Sequence, residues 1–134
     1  MENKSLIEFQ EILRRYKSGQ LSFGIDFSNL DLSGIDLCHV TIWGVNFSGA
    51  NLTGAIFEGC DFTGADFRGA NMEGIFFSEA TLNGANLSRP NMRGGRFAQC
   101  SLDGAFLVET DLRDGYFAET RVCGQLSQII EAAR

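Results

Sequence analysis

The side chains able to ligate a metal or attack a substrate are few: four cysteines (Cys38, Cys60, Cys100 and Cys123), one histidine (His39) and seventeen acidic residues. Metal ligation by cysteine calls for close pairs, and the sequence has no C-x-x-C. His39 has no serine or cysteine nucleophile placed with it by any motif, so a general-base role lacks its second member. Paired carboxylates work as acid and base inside a concave pocket that excludes water, which outward Asp residues on a convex surface do not form. The glycine-rich stretches follow neither G-x-x-x-x-G-K-[ST] nor G-x-G-x-x-G in a strand-to-helix setting, so phosphate cradling is unsupported. The sequence therefore predicts a protein that is not an enzyme, with no catalytic, cofactor-binding or metal-ligating residues.

What positions these residues is a repeat of five. Every fifth residue from Phe27 to Val122 is a large or medium apolar side chain, twenty in succession without a slip. Two residues before each centre stands a small or apolar residue, first Ile25, Leu30, Ile35, Val40 and Val45, later mostly Ala. Between the two a polar residue is usual, commonly Asp or Asn, as at Asp26, Asn46, Asp66 and Asn86. Two residues after the centre, Gly fills twelve of the twenty units. Neither a period of 3.6 nor a period of 2 keeps one face apolar at this spacing over a hundred residues. A chain that turns a corner every five residues does, with the small and central residues inside, the Asp or Asn outside, and Gly supplying the positive φ of a type II turn. In that register Cys60 and Cys100 point inward roughly 10 Å apart, beyond disulfide reach, and act as small hydrophobes. Cys38 and Cys123 fall on outward turn positions, and so does His39.

The unit A-[DN]-[LF]-x-G, unaltered in Ala50-Asn51-Leu52-Thr53-Gly54 and Ala65-Asp66-Phe67-Arg68-Gly69, resembles the pentapeptide-repeat family over residues 25–124. The resemblance implies an all-β solenoid, the family's right-handed quadrilateral β-helix, here of about five coils. The number of sides comes from the family, because the period alone allows others. Five coils at the ~4.8 Å spacing of stacked strands make a rod roughly 24 Å long. Residues twenty apart then stack, giving interior columns Phe27, Phe47, Phe67, Leu87, Leu107 and Leu37, Phe57, Phe77, Phe97, Phe117. The chain reads as one domain, 1–134. Residues 1–24 form an N-terminal α-helical cap and lead-in, 25–124 the twenty repeats, and 125–134 a C-terminal cap. The first helix is expected over 5–18, with Leu6, Phe9, Ile12, Leu13 and Tyr16 on its apolar face, a capping box at Ser5 and Glu8, and a stop at Gly19. Leu126, Ile129, Ile130 and Ala133 suggest a short second helix.

With chemistry excluded, the outer surface carries the function. The Asp or Asn position becomes Ile56, Phe76, Arg96 and Tyr116 in four consecutive coils, all on one side below Asp36. Apolar and aromatic residues gathered with an Arg have the composition of a protein-binding hot spot. Phe106 with Val108 on the opposite side is a smaller candidate, and Trp43 an isolated one. The expected function is a non-enzymatic protein–protein interaction module that presents a rigid face to a regulatory or structural partner. The alternative comes from the family, some of whose members mimic DNA and bind a type II topoisomerase such as gyrase. That needs a continuous acidic face, which Arg68, Arg89, Arg93, Arg96, Arg113 and Arg121 interrupt. A net charge of −6 argues against direct nucleic-acid or membrane binding, since both rely on a basic surface. No secretory signal opens the sequence, so the expected location is the cytoplasm, and the expected state a monomer or weak homodimer.

Overall fold

A computed structural model of the chain describes residues 4–17 and 23–121. From Asp26 onward each residue at the Asp/Asn position pairs in parallel with the residue twenty further on. Asp26 pairs with Asn46, Asp31 with Asn51, Asp36 with Ile56 and Thr41 with Asp61, and the same four ladders continue down the chain. Four ladders and twenty residues per turn define a quadrilateral coil. Four complete coils (25–44, 45–64, 65–84 and 85–104) and a fifth as far as Arg121 are described, against about five expected.

The five-residue repeat forms this coil because each centre is buried. Phe27, Phe47, Phe57, Phe62, Phe67, Phe77 and Phe97 are all 0% exposed. Both expected phenylalanine columns are present. Phe47 stacks on Phe67 at 5.3 Å between ring centroids, and Phe77, Phe97 and Phe117 follow at 5.3 and 4.8 Å with the rings nearly parallel. Between columns the contacts are edge-to-face, as in Phe57 against Phe62 at 5.1 Å and 89°. Such pairs contribute about 0.5–1.5 kcal/mol each beyond the area they bury.

Three of the corners close with a hydrogen bond from the residue three after the centre, such as Ala65 N–H to Phe62 C=O at 3.0 Å. The residue before it holds a positive φ, as Gly64 does at 73°, which a type II turn requires at its third position. The Asp or Asn outside then accepts the backbone N–H two residues on, for example Ser48 N–H to Asn46 Oδ1 at 2.9 Å and Thr63 N–H to Asp61 Oδ1 at 3.1 Å. The Asp/Asn preference is therefore turn chemistry. The remaining corner, after residues 37, 57, 77 and 97, bends without the closing bond. On that side the ladder lengthens into three-residue strands, β1 (Asp36–Cys38), β2 (Ile56–Glu58), β3 (Phe76–Ser78), β4 (Arg96–Ala98) and β5 (Tyr116–Ala118), in one parallel sheet ordered as numbered.

Three of the four carbonyls at the open corner find side-chain donors instead, the exception being Phe57, whose counterpart one coil below is Ala80. The Cys60 thiol donates to Leu37 C=O at 3.4 Å, Cys100 to Phe77 C=O at 3.3 Å and the Thr120 hydroxyl to Phe97 C=O at 3.2 Å. The two interior cysteines are thus buried donors as well as small hydrophobes. A parallel case stands at Pro90, which has no N–H to close its corner onto Leu87 C=O as Ala50 and Ala70 close theirs onto Phe47 and Phe67. The Thr110 hydroxyl, one coil below, donates to the Leu87 carbonyl in its place.

The N-terminal helix, α1 (Lys4–Lys17), lies over the first coil as expected. Phe9 is buried with its ring 4.8 Å from that of Phe27, while Leu6, Ile12, Leu13 and Tyr16 pack partly buried beside it. The Tyr16 hydroxyl donates to Thr41 C=O. Because α1 begins at Lys4, Ser5 lies inside the first turn and not at the expected capping position. Gly19 and the C-terminal helix expected over 125–134 lie outside the described residues.

Phe77→Ala should cost about 3–5 kcal/mol in urea denaturation by opening a cavity in the stack, while Phe76→Ser, one residue away but outward, stays within about 1 kcal/mol. Equal losses would contradict the register. Thr110→Val should cost about 1–3 kcal/mol by stranding the Leu87 carbonyl. In a Pro90→Ala background, where residue 90 regains its N–H, that cost should shrink, which a double-mutant cycle reads directly.

Candidate functional site

The stripe expected from the sequence is one continuous ladder. Asp36 pairs with Ile56, Ile56 with Phe76, Phe76 with Arg96 and Arg96 with Tyr116, all in parallel register on the outer face of β1–β5. Ile56 is 38% exposed and Tyr116 60%. Phe76 is half-buried, because the Arg96 guanidinium lies over its ring at 5.1 Å from the centroid. The flanking outward positions become small below β2, with Ser78, Ala98 and Ala118 beside the large residues. The four stripe residues are brought together, and Phe76 is the least open of them.

These residues stand on this side for a reason in the backbone. Here the ladder runs three residues and the corner lacks the closing bond, so no Asp or Asn is needed to hold a turn. Asp36 itself meets only the Cys38 thiol, at a long 3.9 Å. The side is released from the turn chemistry that binds the other three.

Arg96 also stands apart electrostatically. Among the described coil residues, Arg68 pairs with Asp66 at 2.7 Å, Arg89 with Glu109 at 3.2 Å, Arg93 with Asp114 at 3.2 Å, Arg113 with Asp111 at 2.7 Å and Arg121 with Asp103 at 2.7 Å. Arg96 meets an aromatic ring in place of a carboxylate. Above Asp36, where α1 crosses the first coil, an open groove of about 480 Å³ is lined in part by Leu6, Phe9, Leu13, Ile35 and Leu37. Sequence reasoning missed this groove, since it exists only where helix and coil meet at an angle.

The remaining polar chemistry is occupied structurally. His39 is exposed at a corner with φ 55°, its imidazole over the Cα of Gly59 at a distance that leaves no room for a side chain there. The Trp43 indole N–H donates to Asp61 at 3.0 Å, so this exposed aromatic ties two coils. Phe106 and Val108, 59% and 57% exposed, flank the buried Leu107. Hydrogen bonds from Arg68 and Arg113 hold Asp66 and Asp111 below the usual carboxylate range, Asp111 at about 2, and Ser28 does the same for Asp26. Burial raises the Cys60 and Cys100 thiols. Among the described residues, no three His, Cys, Asp or Glu side chains converge to hold a metal, and no helix is long and apolar enough to cross a membrane.

The family model for pentapeptide repeats matches overlapping segments that together run from residue 23 to residue 117. The chain belongs to the pentapeptide-repeat family, and its solenoid is that family's right-handed quadrilateral β-helix. Among solved structures, trypsin-treated QnrB1, a plasmid-mediated fluoroquinolone resistance protein, superposes with a TM-score of 0.72 at 22% identity, covering 75% of this chain and 55% of that one. HetL, a pentapeptide repeat protein involved in heterocyst differentiation regulation in the cyanobacterium Nostoc sp. strain PCC 7120, matches at 27% identity and TM-score 0.60, covering 74% of this chain and 48% of HetL. A thylakoid-lumen pentapeptide repeat protein of Arabidopsis thaliana matches at 25% identity and TM-score 0.60, covering 79% of this chain and 77% of its own. The chain spans about half the length of the first two. No curated protein matches it.

Carboxyls held low in the fold add stability above their ordinary pKa near 3.9 and lose it as pH falls through the folded value. The urea midpoint should therefore be level from about pH 7 to 5 and decline between about pH 4 and 2. Thiols react as thiolates, so a disulfide reagent should modify exposed Cys38 in the native chain and reach Cys60 and Cys100 only on unfolding.

Proposed function

We propose that this chain is a non-enzymatic protein-interaction module whose working surface is the outer face of β1–β5. The observation that carries the reading is the stripe: Ile56, Phe76, Arg96 and Tyr116 in one ladder, on the side whose backbone leaves the side chain free of turn duty. Aromatic residues and Arg dominate protein-binding hot spots, and a rigid sheet holds them with little ordering cost on association. Asp26, Asp31, Asp61, Asp66 and Asp111 hold turns, and Asp66, Asp103, Glu109, Asp111 and Asp114 pair with arginines.

The alternative, mimicry of DNA toward a type II topoisomerase, draws on the shared fold with QnrB1 and the net negative charge. It asks for a line of unpaired carboxylates, and Asp66, Asp103 and Asp111 each carry an arginine partner. The paired charges favour the interaction module.

Capture from a lysate of the source cell, with the native chain against the folded Ile56→Ser, Phe76→Ser, Tyr116→Ser variant, tests this. A protein retained by the first and lost by the second is the expected result. A topoisomerase retained equally by both would transfer the assignment to mimicry.

A further inference from the structure

We infer that the β1–β5 face pairs with a second copy of this chain, the two rods lying antiparallel about a two-fold axis between the Ile56 and Phe76 rungs. The inference rests on the stripe being an interface and names its occupant.

The argument starts from the order of side chains down the ladder: acidic Asp36, apolar Ile56, apolar Phe76, basic Arg96. A two-fold interface uses the same patch twice, so it must be complementary to itself when reversed. Reversal of this stripe sets Asp36 against Arg96 of the second copy and Ile56 against its Phe76. Both pairs then recur by symmetry on the other side of the axis. Ladder rungs repeat at the same ~4.8 Å in both copies, so one pair in register puts all four in register.

Neither of the two charges meets an opposite charge among the described residues. Every other arginine of the described coil meets a carboxylate, while Arg96 lies on Phe76, and Asp36 accepts no basic side chain. The residue left over by this pairing also finds a place. Tyr116 stands one rung beyond Arg96, which puts it opposite the level just above Asp36 of the second copy. That level holds the groove between α1 and the first coil, with Leu6, Phe9, Leu13 and Ile35 on its apolar wall and Gln10, Lys17 and Asp31 among its polar lining. An exposed aromatic ring at one end of the stripe thus meets, at the other end of the reversed stripe, a groove whose apolar wall packs the ring and whose Lys17 and Asp31 border it. Beside the stripe the residues are small from Ser78 down, with Ala98 and Ala118, and the reversal sets the one long flanking side chain near the axis, Glu58, against the short Ser78 of the second copy. A face about 24 Å tall is at the low end of specific interfaces, so the dimer is weak and concentration-dependent.

Sedimentation velocity over a concentration series tests the pairing with Asp36→Arg and Arg96→Asp, both surface changes. The native chain should self-associate, less so as salt rises. Each single variant faces like charges across both symmetric contacts and should lose about tenfold or more in association constant. Mixing the two variants restores opposite charges at both contacts, as does the double variant Asp36→Arg, Arg96→Asp, so both should recover dimerisation. A native chain that stays monomeric at its highest soluble concentration overturns the inference. So do single variants that associate as the native chain does, or a mixture that fails to recover. In any of those cases the lysate capture above still decides whether the stripe binds a different protein.

Discussion

Backbone pairing at a separation of twenty residues is the constraint on which every other feature rests. Each coil closes its corners within itself but offers its other N–H and C=O groups along the rod axis, where their partners are the coils above and below. A shift of one residue would turn the buried Phe47, Phe57, Phe67 and Phe77 outward and bring Asp or Asn into the core. Burial and register therefore enforce one another, and the outer ladders are aligned because the inner ones are. The vertical order of Asp36, Ile56, Phe76, Arg96 and Tyr116 is a by-product of phenylalanine stacking on the other side of the same sheet.

The second constraint is the corner. Twenty residues per turn mean a bend every five, and each bend threatens to strand a carbonyl inside the rod. Most corners solve this locally, with a closing N–H and an Asp or Asn accepting the next free donor. One corner is left open in every coil, and in the first, third and fourth the thiols of Cys60 and Cys100 and the hydroxyl of Thr120 supply donors from one coil below. Thr110 makes the same repair where Pro90 removes an N–H. Because these bonds join successive coils, they add to the nearest-neighbour cohesion on which a solenoid depends. The corner chemistry also explains why the candidate surface lies where it does: the side with longer strands does not need Asp or Asn, so its outward residues are free to serve recognition.

How much of this was legible in the sequence differs by level. The core was: the period of five named every buried centre, and residues twenty apart do stack. Helix α1 and its apolar face were legible from the spacing of Leu6, Phe9, Ile12, Leu13 and Tyr16. The stripe's membership was legible too, as breaks in the Asp/Asn position on one side. Its texture was not. That Arg96 covers Phe76, that Arg96 alone among the described coil arginines lacks a carboxylate, and that a groove opens above Asp36 depend on rotamers and on the angle of a helix across a coil.

Sequence by itself determined the inward and outward sense of every repeat residue, because a strict period of five admits one apolar face and no other. It left open the number of sides, which coils are joined by side-chain donors, and which corner lacks its closing bond. Those were decided by tertiary structure, since a hydrogen bond between Thr110 and Leu87 or an ion pair between Arg93 and Asp114 spans more than twenty residues of chain and exists only after the coils have stacked.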